Sequence, residues 1–61
     1  MEDNKIKKIR LQLRLSQSEF AEKANIKKKT LQFWEQGRRK PSIKNLMLIS
    51  KALNLKLEEL I

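Results

Sequence analysis

Lys27, Lys28, Lys29, Gln32, Phe33, Gln36, Arg38, Arg39 and Lys40 crowd into one short stretch of a 61-residue chain. The chemistry these side chains offer is binding rather than bond breaking. Ammonium and guanidinium groups donate to phosphate oxygens, and lysine also reaches guanine O6 and N7. A glutamine amide carries the paired donor and acceptor that suit adenine, and an outward phenylalanine suits apolar contact with a thymine methyl group. Bond-making alternatives lack their residues. The chain has no histidine and no cysteine, which removes imidazole bases, thiolate nucleophiles, disulfides and the usual zinc ligands. Glu35 has no second catalytic group beside it to share acid–base work. No enzyme activity, cofactor, metal or small-molecule ligand is therefore expected.

The charge is concentrated where those groups lie. Of a net +8, residues 27–44 supply +6, with seven basic side chains (the six lysines and arginines above plus Lys44) against Glu35 alone. Residues 1–26 add +2 and residues 45–61 add nothing. Such a distribution is that of a surface for a polyanion rather than of evenly solvating lysines.

The elements that must hold these side chains are helical. Apolar positions recur at helical spacing in four stripes: Ile6, Ile9 and Leu13; Phe20, Ala21 and Ala24; Leu31 and Trp34; Ile43, Leu46, Ile49 and Leu53. A last turn carries Leu57, Leu60 and Ile61. Ser16 and Glu19 have the spacing of a capping box, and Ser42 caps the fourth stripe after Pro41. Asn25, Gly37 and Asn54 follow the second, third and fourth stripes, where a left-handed residue closes a helix. The spacing predicts an all-α, compact five-helix bundle forming one domain over residues 1–61, with helices near 4–13, 17–24, 28–36, 43–53 and 57–60. Hydrophobic residues at 39% and charged ones at 36% support a small soluble core rather than disorder. The longest apolar run, Leu46 to Ile49, is far short of a membrane span, and the charged start Glu2-Asp3-Asn4-Lys5 is unlike a signal peptide. A reducing, cytoplasmic location is expected.

The short Ala24-Asn25-Ile26-Lys27 step between the second and third helices has the form of a helix-turn-helix. Ser16-Gln17-Ser18-Glu19-Phe20-Ala21, the Asn25-Ile26 turn, Thr30 through Gly37, Pro41-Ser42 and Ala52-Leu53 together resemble the phage-repressor and Cro-type, or XRE-like, helix-turn-helix family. The resemblance covers about residues 6 to 60. It departs where Asn25 and Asn54 stand for the usual glycine, and where Lys27 and Lys56 stand for the usual capping Ser or Thr. It implies a bacterial or phage-encoded, nucleoid-associated regulator that binds double-stranded DNA.

At about 100° per residue, Arg10 falls within about 40° of Ile6, and Glu35 bears the same relation to Leu31. Two charges on apolar faces should pair, because an unpaired buried charge costs several kcal/mol. An Arg10–Glu35 ion pair is expected, as the resemblance also implies. Opposite Leu31 and Trp34 lie Lys29, Gln32, Phe33 and Gln36, with Lys28 on the flank and Phe33 pointing almost directly away from the core; Lys28, Lys29, Gln32 and Phe33 are the expected base contacts. Lys27, Lys28 and Lys29 occupy a first turn where the helix dipole disfavours each cation by roughly 0.3–1 kcal/mol. Three cations at that end make sense if phosphate faces it. Expected backbone contacts are Lys27, Thr30, Gln36, Arg38, Arg39, Lys40, Ser42 and Lys44, together with Gln17, where the family touches one strand.

The leading expectation is a sequence-specific transcriptional regulator, and a repressor in particular. It would place helix three in the major groove and act as a homodimer on a pseudo-palindrome with half-sites about 10 base pairs apart. Leu11, or the cluster Leu55, Leu57 and Ile61, could form the self-contact. The alternative is a protein-interaction module such as the DNA-binding antitoxin of a toxin–antitoxin pair, for which the C-terminal cluster is a faint hint. A non-specific RNA or single-strand binder would need several stacking aromatics, and Phe33 alone qualifies.

Overall fold

Four helices stop in the same way, and that shared ending gives the chain its short corners. In the computed structural model, which describes residues 5–61, the elements are α1 (Lys5–Gln12), α2 (Gln17–Ala24), α3 (Lys28–Glu35), α4 (Ile43–Leu53) and a 3-10 turn, Leu57–Glu59. The expected helix start at residue 4 lies outside the described residues. A left-handed residue follows each α-helix: Arg14 (φ 58°), Asn25 (58°), Gly37 (76°) and Asn54 (57°). The next amide then reaches back five residues, Leu15 N–H to Arg10 O, Ile26 to Ala21, Arg38 to Phe33 and Leu55 to Ser50, at 2.8–3.1 Å. These bonds satisfy carbonyls that the last helical turn would leave open.

Arg14 is the one closure that residue type does not announce. A non-glycine residue in the left-handed region costs roughly 1–2 kcal/mol, whereas glycine pays only its greater chain entropy, roughly 0.5–1 kcal/mol. Arg14 is exposed, so little packing is lost with its side chain. Arg14→Gly should therefore raise the melting temperature by a few degrees. A thermal melt that falls would show that the arginine contributes a compensating contact.

Helix starts divide into capped and uncapped. The Ser16 hydroxyl accepts from Glu19 N–H at 3.0 Å and the Glu19 carboxylate accepts from Ser16 N–H at 2.8 Å, completing the capping box at α2. The Ser16 N–H, and after it the Ser16 hydroxyl, holds the Glu19 carboxyl below its ordinary pKa. Ser42 accepts from Asn45 N–H at 3.1 Å and starts α4. Lys27 and Lys56 make no side-chain cap bond. After Lys56 the expected fifth α-helix is absent and a single 3-10 turn stands in its place, a correction to the five-helix reading. The segment is short, and Leu60 N–H closes on Leu57 O at 2.9 Å, an i to i+3 bond, before a full α-turn can form.

Phe20, Leu31 and Ile49 are completely buried, and Ile6, Ala21, Ala24, Trp34, Leu46 and Leu60 complete the core. α2 packs on α3 and α4, and α1 packs on α3. Two stripe members fall outside this core. Leu13 is 42% exposed because α1 has already ended at Gln12. Ile43 is 60% exposed, since it lies about 90° around α4 from the centre of the buried arc made by Leu46, Ile49 and Leu53. Lys5 Nζ donates to the Ile61 carbonyl, joining the two ends of the described chain.

Candidate nucleic-acid interface

α3 is held in place by a buried charge pair. Arg10 and Glu35 stand on α1 and α3, with Arg10 Nε donating to Glu35 Oε2 at 2.7 Å and Nη2 to Oε1 at 3.1 Å. Their side chains are 11% and 5% exposed. Arg10 Nη1 also donates to the Leu15 carbonyl at 2.8 Å, so one guanidinium fixes both α3 and the chain leaving α1. The fork geometry of this pair suits arginine and could not be reproduced by lysine.

Outside that anchor lies a basic groove of about 350 Å³ between α3 and the start of α4. Its lining includes Lys27, Lys29, Thr30, Phe33, Arg39, Lys40 and Ser42, so seven of the thirteen expected contact residues face one concavity. Asn45 also lines it, a residue that the sequence reading does not single out; its place in the first turn of α4, after the Ser42 cap, is the signal that could have found it. The α3 lysines are exposed, as are Arg39, Lys40 and Ser42. The groove combines four cations with the first turn of a capped helix, an arrangement that attracts phosphate.

Phe33 is not placed as expected. It is half-buried rather than open to water, because the Arg39 guanidinium lies over its ring, 5.8 Å from the centroid. The loop is brought there by the backbone: Arg38 N–H and Arg39 N–H both donate to the Phe33 carbonyl, at 3.0 and 3.4 Å. Arg39 is thereby stacked and positioned at once.

Gln17 and Gln32 lie outside the groove's lining but meet each other. Gln32 Nε2 donates to Gln17 Oε1 at 3.3 Å, and Gln17 Nε2 donates to Glu35 Oε1 at 3.2 Å. Lys28, Gln36, Arg38 and Lys44 are exposed and stand outside the groove lining. Among the described residues, no group of acidic, histidine or cysteine side chains could hold a metal ion, and no helix is long and apolar enough to cross a membrane.

The Asn25 corner, the α2 capping box and the α1–α3 charge pair are one connected arrangement, and the helix-turn-helix family model matches residues 6–60 of the chain. The protein belongs to the helix-turn-helix family. Within that family it is similar to an uncharacterized HTH-type transcriptional regulator from Archaeoglobus fulgidus, at 30% identity over 56 residues, 92% of this chain and 79% of the relative. No solved structure matches it. In this helix-turn-helix, α2 and α3 are the paired helices, and the cationic groove lies along α3, the helix that such units present to their ligand.

Proposed function

We propose that this protein is a sequence-specific, double-stranded DNA-binding transcriptional regulator, and a repressor in particular, with α3 in the major groove and α2 across the backbone. The observation that carries this reading is the groove in which Lys27, Lys29, Arg39 and Lys40 meet beside the N-terminus of α4. The relative from Archaeoglobus fulgidus bears the name of a transcriptional regulator, which supports the same reading. Lys28, Lys29, Gln32 and Phe33 read base edges in this proposal. Gln17, Lys27, Thr30, Gln36, Arg38, Arg39, Lys40, Ser42 and Lys44 hold phosphates and set the register. Repression needs only occupancy of a site, which such an interface supplies.

Residues 1–61 act as one domain in this reading. One copy spans few base pairs, so the protein works as a homodimer on a pseudo-palindromic operator. Leu55 and Leu57 pack partly into the core, leaving Leu11 and Ile61, 56% and 55% exposed, as the residues for self-contact. Selection from randomised duplexes tests the proposal directly. It should enrich two half-sites related by a dyad about one helical turn apart, and a pool that stays random would overturn it.

Lys40→Gln supplies a second check. Lys40 lines the groove without covering Phe33, so its loss should weaken binding to every duplex alike and reduce the slope of log K against log salt by about 0.9. An unchanged slope would remove Lys40 from the phosphate contacts.

A further inference from the structure

We infer that Gln17 is a positioning residue that fixes which end of the Gln32 amide faces the DNA, so that Gln32 presents its carbonyl oxygen to a base with an exocyclic amine; this rests on the DNA-binding reading above. The argument begins at the buried pair. The Glu35 carboxylate, paired with Arg10, is an acceptor only. Gln17 must therefore approach it through Nε2, as it does at 3.2 Å. A flipped Gln17 amide would set its oxygen against the carboxylate in a half-buried site. With Nε2 held inward, Gln17 Oε1 is turned toward α3, where it accepts from Gln32 Nε2 at 3.3 Å. Polarity is thus passed from a charge through one amide to the next. Gln32 keeps its oxygen and one N–H for the DNA.

In the major groove adenine N6 and cytosine N4 donate, whereas guanine O6 and thymine O4 accept. An outward oxygen selects the first pair. The remaining N–H of Gln32 suits adenine N7 beside N6, so adenine is preferred at the base that Gln32 meets.

Parallel selections from randomised duplexes with the wild type, Gln32→Ala and Gln17→Leu test this, with thermal melts alongside. Gln32→Ala identifies the base pair read by Gln32 as the one position in each half-site whose preference it relaxes. At that position the wild type should favour adenine over guanine and thymine by about tenfold or more. Gln17→Leu should melt within a few degrees of the wild type, and admit guanine or thymine there while other positions keep their ratios. Gln17→Ala carries the same expectation should leucine disturb the fold. A uniform loss of affinity with unchanged ratios would make Gln17 a phosphate contact alone and overturn the inference, as would wild-type preference for guanine or thymine at that position. A wild type that enriches no site would overturn the DNA-binding reading itself, and this inference with it.

Discussion

Arg10→Ala should remove at least about a third of the domain's stability, and all of it where that stability is at the low end of its range. A domain of 61 residues has a total stability of roughly 3–9 kcal/mol, and breaking a buried ion pair by removing one partner costs about 3–5 kcal/mol. The loss is large because the Glu35 side chain, 5% exposed, is left in the interior without its countercharge. Arg10 also supplies the donor to Leu15 O, so the chain after α1 loses its tie at the same time. The double variant Arg10→Met with Glu35→Leu separates charge burial from packing: apolar replacements of similar volume are often neutral or better, so it should recover most of the loss. Urea unfolding followed by circular dichroism would measure both. A single variant as stable as the wild type would show that the pair is structurally dispensable.

That pair is legible in the amino-acid sequence because it depends on position along two helices alone. Arg10 and Glu35 each lie on an apolar stripe, and an isolated charge on such a stripe needs a partner. Three helix ends are equally legible from Asn25, Gly37 and Asn54, whose types favour the left-handed region. Arg14 is not, because arginine has no such preference; the turn there is held by Leu15 N–H on the Arg10 carbonyl and by the Arg10 guanidinium on the Leu15 carbonyl. Periodicity also overstates the core at Leu13 and Ile43, since it shows which face a residue shares and not where the neighbouring helix ends. Most of the interface residues can be assigned from spacing to one side of the third helix or to the loop beyond it. Their grouping cannot, because it depends on the loop after Gly37 folding back through Arg38 and Arg39 onto the Phe33 carbonyl. The Gln17–Gln32 contact is likewise a product of how α2 crosses α3. Neither residue type nor spacing predicts it.

The most discriminating result is expected from Lys27→Ser with Lys28→Glu and Lys29→Glu, because folding and binding should respond with opposite signs. Lys27 is the N-cap of α3 and accepts no hydrogen bond there, so serine should supply a missing cap worth about 1 kcal/mol. Two glutamates in the next turn replace unfavourable charges with favourable ones near the positive helix end, at roughly 0.3–1 kcal/mol for each charge removed or introduced. The variant should therefore melt several degrees higher. Binding should fall steeply, since the proposed phosphate contact Lys27 and the proposed base contacts Lys28 and Lys29 are lost together, the phosphate contact accounting for about 0.9 of the salt slope. Two lysine–base contacts at about 1 kcal/mol or more each, with the counterion release from Lys27, correspond to about a hundredfold in affinity at physiological salt, before any repulsion from the two carboxylates. Melting curves and duplex titrations across a salt series would measure the two effects on the same sample. A variant that melts lower would mean that the lysines stabilise α3, and one that binds as tightly would remove the first turn of α3 from the interface. Gain in stability with loss of binding is the pattern expected if these three lysines are retained for a ligand at the expense of the helix that carries them.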